Sequence, residues 1–281
     1  VQRFSSLINY HAKCRMNRNF VDTFKLNPML SKAKIKYIRS LELKKYRKAG
    51  NVFLAEGPKL VGDLLGHFTC KLIAASPEWF ATHPSVQADE CIKTDATELA
   101  KASLLKSPQE VLAVFEQPSD PLDYHYPQQS LCLALDDIQD PGNLGTIIRL
   151  ADWFGIEHIY CSLSTVDVYN PKAVQATMGA LARVKLHYTS LTDCIEALNA
   201  HTPVYGTFLK GDNLYTQKLS SNGLIVMGNE GNGISPDVEK LINRRLYIPN
   251  YPMERSTSES LNVAMATAIV CAEFRRQILQ Q

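Results

Sequence analysis

Hydrophobic and polar positions alternate in a regular order along the second half of the chain. From about residue 131, short apolar runs are each followed by a stretch with helical spacing. The strand-like runs are LCLALDDI, HIYCS, RVKLHYT, PVYGTFL, GLIVMG and RRLYIP, and the helical stretches are PGNLGTIIRLADWFG, PKAVQATMGALA, LTDCIEALNA, SPDVEKLIN and residues 260–279. Strands alternating with helices are typical of a parallel sheet covered on both faces. The pattern therefore predicts an α/β fold.

The first part of the chain shows the same alternation on a smaller scale. VFLAEG, KLIAA and VLAVFE have the composition of strands, and PKLVGDLLG and ATELAKASLL have helical spacing. Residues 115–130 are rich in proline and polar residues, which is typical of a connection between domains. We predict a small α/β domain over residues 1–115, a linker over 116–130 and a larger domain over 131–281.

Three of the predicted strands run into loops with candidate chemistry. These loops are DPGNLGTIIR, GNEGNGIS and IPNYPMERSTSESLN. In a parallel sheet the carboxyl ends of the strands line one edge, where ligands bind, so the three loops are expected to converge. Gly228, Gly231 and Gly233 let a ligand approach the backbone closely, although such glycines also form tight turns.

Composition narrows the class of protein. The 281 residues are 45% hydrophobic and 21% charged, which is ordinary for a globular chain and excludes disordered and collagen-like classes. The longest nearly apolar run, residues 263–272, is shorter than the roughly 18 residues of a membrane span. Seven cysteines occur singly, which indicates reduced core thiols in an intracellular protein: Cys14, Cys70, Cys91, Cys132, Cys161, Cys194 and Cys271.

Charge divides the chain into two halves. Residues 1–115 hold 18 Lys and Arg against 10 Asp and Glu, a net of +8, and residues 116–281 hold 12 against 18, a net of −6. SKAKIKYIRSLELKKYRKAG predicts one amphipathic helix with a basic outer face, which suits a phosphate backbone. A solvated surface helix has the same pattern, but the confinement of positive charge to one end favours nucleic acid.

The first twenty residues carry four basic side chains and no acidic one. This composition fits an organellar transit peptide and equally a basic tail that adds affinity for RNA. The sequence leaves both open. We expect a cytoplasmic protein without membrane association, with organellar import as the alternative.

Several ligands suit the glycine-rich loop poorly. The spacing G-x-x-G-x-G differs from the dinucleotide fingerprint, and Glu230 would repel a pyrophosphate. No G-K-[ST] follows a glycine run, and the dispersed histidines predict no metal site. A cationic or zwitterionic ligand fits better, because backbone carbonyls and a carboxylate offset positive charge.

NLGTIIR, GNEGNGIS and IP…SESLNVAMATA, in this order, closely resemble the three motifs of the SpoU (TrmH-like) RNA 2′-O-methyltransferases of the SPOUT superfamily. The resemblance covers about residues 131–281. FLAEGPKLVGDLL is similar to the RNA-binding domain that many members carry. The resemblance implies a C-terminal trefoil knot in the SPOUT-type sheet, which is rare in proteins. It also implies S-adenosylmethionine as cofactor, RNA as substrate and a homodimer formed through the C-terminal domain.

The resemblance also implies site residues. The implied catalytic set is Asn143, Arg149, Glu230, Ser260 and Asn262. The implied cofactor-binding set is Thr207, Met227, Gly228, Asn229, Glu230, Gly231, Ile248, Pro249 and Leu261. In many members the link between Ile-Pro and Ser-Leu-Asn is shorter than residues 250–259 of this chain, so contacts from residues 250–258 are not carried over.

Methyl transfer to a ribose hydroxyl is an in-line displacement, in which positioning contributes about 7–11 kcal/mol. The family pattern implies that Arg149 acts on the hydroxyl proton. A guanidine, whose pKa is above about 12, is a poor base, so we expect Arg149 to hold a phosphate and stabilise the developing alkoxide. Ser260, Glu230 or water would then take the proton. Each residue also has an ordinary structural role, such as an N-cap for Asn143 and Asn262.

The leading hypothesis is an S-adenosylmethionine-dependent RNA ribose 2′-O-methyltransferase. The alternatives are a non-catalytic RNA-binding protein that keeps the fold, and an enzyme of small nucleotides. The added N-terminal domain favours rRNA over tRNA by analogy, and the sequence does not predict which nucleotide is methylated. We expect that deletion of residues 1–115 leaves cofactor binding nearly intact and abolishes productive RNA binding.

Overall fold

The computed structural model of the protein describes residues 30–119, 121–252 and 260–279. Within them, the N-terminal region, residues 30–116, holds a four-stranded mixed sheet in the order β1-β4-β2-β3. β4 runs antiparallel to β1 and β2, and β3 runs parallel to β2. The elements are α1 (Lys32–Ser40), α2 (Lys44–Gly50), β1 (Val52–Glu56), α3 (Pro58–Leu64), β2 (Cys70–Ala75), α4 (Pro77–Thr82), β3 (Cys91–Lys93), α5 (Ala96–Ala102) and β4 (Val111–Glu116).

The C-terminal region, residues 131–279 without 253–259, is built on a seven-stranded sheet in the order β7-β6-β5-β10-β8-β11-β9. Every pairing is parallel. After α6 (Tyr126–Gln129), the elements are β5 (Leu131–Leu135), α7 (Pro141–Trp153), β6 (His158–Cys161), α8 (Pro171–Thr177), β7 (Lys185–Tyr188), α9 (Leu191–Glu196), β8 (Val204–Phe208), β9 (Asp212–Asn213), β10 (Gly223–Met227), α10 (Pro236–Glu239), β11 (Arg244–Tyr247) and α11 (Val263–Ile278). The predicted parallel α/β sheet is confirmed.

The predicted basic helix was wrong in one respect, because it forms two helices. α1 ends at Ser40, and the N–H of Leu41 closes the turn on carbonyls of the last helical residues. Leu41 is buried, so the chain turns inward before α2 begins. Arg47 does not belong to the basic outer face either. Its side chain is 2% exposed and pairs with Asp167 of the C-terminal region at 2.7 Å.

The stretch PKAVQATMGALA also differs from the single helix that its spacing predicts. α8 ends at Thr177, and Met178 and Gly179 both have positive φ, after which residues 180–182 form a short 3-10 helix. A Cβ on Gly179 would lie 2.3 Å from Oδ2 of Asp63, so the break allows close approach of the N-terminal region. The strands β3 and β9 were not predicted, because three and two residues are too few to show an alternating pattern.

The two regions share a hydrophobic core. Buried residues of both sheets, including Phe53, Phe115 and Leu133, belong to one continuous cluster. The ring of Phe53 stacks on Tyr169 with centroids 5.0 Å apart. Deletion of residues 1–115 would therefore uncover apolar surface of the C-terminal region. The truncation proposed above would thus change the packing of the C-terminal region as well as RNA binding.

The cysteines described by the structure agree with the prediction of core thiols. Six are free and buried, and burial raises the pKa of Cys132 to about 12. Cys14 and the rest of the basic N-terminal stretch up to residue 29 lie outside the described residues. In the described ranges, every helix is too short or too polar to cross a bilayer. The same ranges contain no group of three or more His, Cys, Asp or Glu side chains that could hold a metal ion.

Candidate active site

The first motif lies where β5 passes into α7. Asp140 caps this helix, since its side chain accepts the N–H of Asn143 at 2.7 Å. Pro141 occupies the first helical turn, where its missing N–H costs nothing. Asn143 itself is half-buried in the first turn. The cap and the proline thus fix the start of the helix and the direction of the Asn143 side chain.

Three predicted catalytic residues form a chain of side-chain hydrogen bonds. Nδ2 of Asn143 donates to Oε1 of Glu230 at 2.9 Å, and Nδ2 of Asn262 donates to Oδ1 of Asn143 at 3.0 Å. We call Asn143, Glu230 and Asn262 the catalytic cluster. The three residues come from three different segments, the first turn of α7, the glycine-rich loop after β10 and the cap of α11, and the bonded pairs are 87 and 119 positions apart in sequence.

The orientation of both amides in the catalytic cluster follows from the helix cap. Oδ1 of Asn262 accepts the N–H groups of Ala264 and Met265 at the start of α11. Its Nδ2 must therefore point to Oδ1 of Asn143, which leaves Nδ2 of Asn143 for the carboxylate. Asn262 is both the helix cap that its sequence position suggests and a member of this hydrogen-bonded cluster.

The glycine-rich loop is shaped by Asn229. Its Oδ1 accepts the N–H groups of Gly231 and Asn232 at 2.8 and 2.9 Å, and its Nδ2 donates to the carbonyl of Asp137 at 2.7 Å. Its backbone pairs with Gly233 in both directions. Asn229 is a predicted cofactor-binding residue, and its side chain is thus already engaged inside the protein.

Two carboxylates missed by the sequence interpretation join this loop to the first motif. Oδ2 of Asp136 accepts the N–H of Ser235 at 2.7 Å, and Asp137 accepts from Asn229 through its carbonyl and its side chain. Asp137 has a φ of 60°, a left-handed conformation that few non-glycine residues adopt. The two adjacent aspartates at the end of LCLALDD were the feature of the sequence that could have indicated these carboxylates.

The predicted cofactor-binding residues lie along the carboxyl ends of three neighbouring strands, β10, β8 and β11. Thr207, the residue before the last one of β8, lies opposite Leu246 of β11, and its Oγ1 lies 3.6 Å from Sδ of Met227 at the end of β10. Ile248 and Pro249 follow β11 and are half-buried, and Leu261 is 50% exposed before α11. The structure brings these positions to one edge of the sheet.

Arg149 and Ser260 lie outside the catalytic cluster. Arg149 is exposed on α7, and within the described residues its guanidinium has no hydrogen bond or ion pair. Six residues of helix separate it from Asn143 by roughly 9 Å along the axis and about 120° around it. Ser260 is exposed, and within the described ranges it makes no hydrogen bond to the cluster.

The residues at this edge fit a sulfonium cofactor with a flat adenosine part. The exposed carboxylate of Glu230 can offset a positive charge. Gly228 needs its bare backbone, since a Cβ there would lie 2.3 Å from the carbonyl carbon of Gly233. A Cβ on Gly233 would meet no atom within 4 Å, so open space lies beside the loop. The edge therefore combines negative charge, bare backbone and half-buried apolar side chains.

Comparison with known proteins identifies the family of the chain. The model of the SpoU rRNA Methylase family matches residues 130–272. The chain belongs to this family. The model of an MRM3-like substrate binding domain matches residues 32–113, which lie within the N-terminal region.

Curated SpoU relatives align along most of the chain. The 23S rRNA (guanosine(2553)-2′-O)-methyltransferase RlmP of Bacillus subtilis is 30% identical, with 86% of this chain and 96% of RlmP covered. The mitochondrial rRNA methyltransferase 3 of Xenopus laevis is 28% identical, with 86% of this chain and 73% of that protein covered.

Solved structures agree with this assignment. A TrmH-family protein from Porphyromonas gingivalis matches with a TM-score of 0.80 and 40% identity, covering 89% of this chain and 99% of that one. An S-adenosylmethionine-bound rRNA methyltransferase from Sinorhizobium meliloti matches with a TM-score of 0.79 and 31% identity, covering 91% and 98%.

As a SpoU family member, the chain is an S-adenosylmethionine-dependent RNA 2′-O-methyltransferase. The activity, the cofactor and the α/β fold predicted from the motifs are confirmed. The trefoil knot, the homodimer and the roles of single residues stay predictions.

Proposed function

We propose that this chain methylates the 2′-hydroxyl of a ribose in rRNA, and that the catalytic cluster positions the reacting groups. The single observation that carries the assignment of the site is the hydrogen-bonded chain from Asn262 through Asn143 to Glu230 at the carboxyl edge of the sheet. The support for rRNA over tRNA is that RlmP and the mitochondrial relative are named rRNA methyltransferases.

The cofactor would be held along the ends of β8, β10 and β11. S-adenosylmethionine supplies a methyl group on a positively charged sulfur. Half-buried Thr207, Ile248 and Pro249 and the backbone of Gly228 and Gly231 suit its apolar and hydrogen-bonding parts. Asn229 contributes through the shape of the loop, because its own polar groups are engaged within the protein.

Glu230 is the residue we assign to the proton of the ribose hydroxyl. Asn143 holds Oε1, and the carboxylate is exposed, so the other oxygen is open to an incoming hydroxyl. A positioned general base contributes typically about 10²–10⁴-fold to a rate. Ser260 and water are the other acceptors that the sequence interpretation allowed.

Arg149 suits the RNA better than the catalytic cluster of its own chain. Its guanidinium is exposed, has no partner in the described part of the chain, and lies off the face that carries Asn143. A free planar guanidinium matches a phosphate in two hydrogen bonds. We assign it to an RNA phosphate and, across the homodimer proposed below, to the negative charge that develops on the oxygen attacking at the cluster of the second subunit.

A homodimer formed through the C-terminal region is part of the proposal. Trp153 of α7 and Met265 of α11 are 84% and 54% exposed, and Leu261, just before α11, is 50% exposed. Contact with a second copy of the chain would remove these apolar side chains from water, which is favourable. Sedimentation of the purified protein at micromolar concentration tests this, and a monomer would contradict it.

The test of the function is to map 2′-O-methyl positions in total RNA from cells with and without the gene. We expect one rRNA position to lose its methyl group, and purified protein with S-adenosylmethionine to restore it. A lost position in tRNA would overturn the substrate. Calorimetry that shows no binding of S-adenosylmethionine would favour a non-catalytic RNA-binding protein.

The cytoplasmic location stays a prediction. The similar proteins include a bacterial enzyme and mitochondrial ones, and the first 29 residues lie outside the described residues. Imaging of the full chain carrying a C-terminal fluorescent tag decides between the two locations.

A further inference from the structure

A cavity of about 580 Å³ lies between the N-terminal and C-terminal regions, and we call it the interdomain groove. Glu42, Leu104 and Leu105 line it from one side, and Pro141, Lys172 and Gln175 from the other. Its volume falls within the range of about 300–1,000 Å³ that is typical of ligand sites in proteins. The groove is separate from the edge that suits the cofactor, because its lining includes none of the cofactor-binding residues.

The interdomain groove lies next to the catalytic cluster. Pro141 lines the groove, and Asn143 follows it in the same first turn of α7. Helix geometry places their Cα atoms about 5 Å apart. A ribose held at Asn143 and Glu230 would therefore have its neighbouring nucleotide within reach of the groove.

Buried and partly buried hydrogen bonds hold both walls of the groove in place. On one side, the buried carboxylate of Glu56 accepts the hydroxyl of Ser103 and the N–H of Leu104. On the other side, Asp167 is paired with Arg47, and its carbonyl accepts the N–H of Asn170. The groove is thus preformed, which reduces the entropy lost when a ligand binds.

The groove also contains polar groups that the fold does not use. Within the described residues, the amide of Gln175, the ammonium of Lys172 and the carboxylate of Glu42 have no hydrogen-bond partner. An amide carries both donors and an acceptor, which suits the edge of a base, and an ammonium suits a phosphate. Leu104, Leu105 and Pro141 supply apolar contacts for the face of a base.

We propose that the interdomain groove binds the base of the nucleotide next to the methylated one, with Gln175 as a specificity-determining residue and Lys172 on the adjoining phosphate. Proteins read single-stranded RNA by splaying out bases and contacting their faces and edges. The inference rests on the proposed function, and it adds a site for the neighbouring base between the two regions.

The test uses the full chain and an rRNA fragment that contains the mapped methylation site. Further fragments carry single base changes at the target and at each neighbour. The variants are Gln175→Ala, Lys172→Ala and, as a control, Lys218→Ala, an exposed lysine just before the amino end of β10. For each combination of protein and RNA fragment, kcat/KM and the salt dependence of RNA binding are measured. The affinity for S-adenosylmethionine is measured for each protein.

We expect the wild type to discriminate against a changed base at one neighbour by roughly 5- to 150-fold in kcat/KM. Gln175→Ala should remove that discrimination and leave S-adenosylmethionine affinity unchanged. Lys172→Ala should weaken all fragments equally and lower the salt slope by about 1, and Lys218→Ala should change neither.

Three results would overturn the inference. They are a wild type that ignores both neighbours, a Gln175→Ala variant that keeps the discrimination, and a loss of discrimination at the methylated position itself. In each of these results the wild type still methylates the fragment, so the proposed function stands. A wild type that does not methylate any rRNA fragment would overturn the function and the inference together.

Discussion

The N-terminal and C-terminal regions use their polar side chains in different ways. In the C-terminal region, Asn143, Glu230 and Asn262 bond to one another at one edge of the sheet. In the N-terminal region, α1 and α2 leave lysines in solvent without such a network: Lys32, Lys36, Lys44, Lys45 and Lys48. Chemistry at a bond needs fixed positions, whereas attraction of a phosphate backbone needs mainly charge.

This difference predicts how each region responds to mutation. Loss of one side chain from a positioned set is expected to impair one step strongly. Loss of one lysine from an exposed set is expected to weaken RNA binding by a small and roughly equal amount. Arg47 belongs to neither group, because it is a buried cation that joins the regions.

The largest expected effect is on stability, from Arg47→Met. The variant leaves Asp167 without its cation and removes two hydrogen bonds to the carbonyls of Leu41 and Glu42. Breaking a buried pair by removing one partner costs about 3–5 kcal/mol. Asp167 is 15% exposed, so we expect the lower end of this range in the free energy of unfolding, measured with urea.

The control for Arg47→Met is Lys48→Met on the exposed side of α2, which should change stability by less than about 0.5 kcal/mol. The double variant Arg47→Met, Asp167→Leu should recover part of the loss, because no unpaired charge remains. Equal free energies of unfolding for Arg47→Met and Lys48→Met would show that the two regions are held together by their shared core alone.

The next effect is on turnover, from Arg149→Ala. We expect a fall of about 10²–10³-fold in single-turnover methylation, the scale of a lost oxyanion donor, with S-adenosylmethionine affinity within a few-fold of the wild type. Arg149→Lys should not rescue the rate, because a point charge lacks the planar fork. Arg244→Ala, at an exposed arginine on the amino end of β11, is the matched control. If Arg149→Ala instead lost affinity for S-adenosylmethionine and kept the wild-type rate at saturating cofactor, Arg149 would be a cofactor-binding residue.

The sequence predicted the C-terminal region more fully than the N-terminal one. Its strands alternate with helices, and each motif follows a strand, so the shared edge of a parallel sheet places the motifs together before any side chain is known. The position of Arg149 could not be predicted this way. A six-residue spacing puts it on the same helix as Asn143 but on a different face, and the motif does not show which face is exposed.

The N-terminal region was harder to predict because its charges look alike in sequence. Arg47 lies among Lys44, Lys45 and Lys48, and only its partner 120 positions away distinguishes it. Asp137 and Asn229 present the same difficulty, since their bond joins residues 92 positions apart. Pairings of this kind depend on tertiary structure, which local patterns do not contain.

A smaller effect is expected when exposed lysines are removed. In the double variant Lys45→Gln, Lys48→Gln, RNA affinity should fall. The negative slope of log affinity against log salt should become shallower by roughly 1.4–1.8, because a protein with two fewer cations releases fewer counterions when it binds RNA. The affinity for S-adenosylmethionine should not change. Lys218→Gln, Lys240→Gln, in the C-terminal region, is the matched control. Equal slopes for the two pairs would remove the distinction between the regions.

The smallest expected effect separates two roles of Asn262, as helix cap and as site residue. Asn262→Ala loses both, so the free energy of unfolding should fall by about 1 kcal/mol and S-adenosylmethionine should bind more weakly. Turnover at saturating cofactor should partly recover. Asn262→Asp keeps an oxygen for the N–H groups of Ala264 and Met265 but cannot donate to Asn143. We expect wild-type stability with weakened cofactor binding. An aspartate variant with wild-type cofactor affinity would show that Asn262 acts on the site only by fixing the start of α11, and that the bond to Asn143 has no part in holding the cofactor.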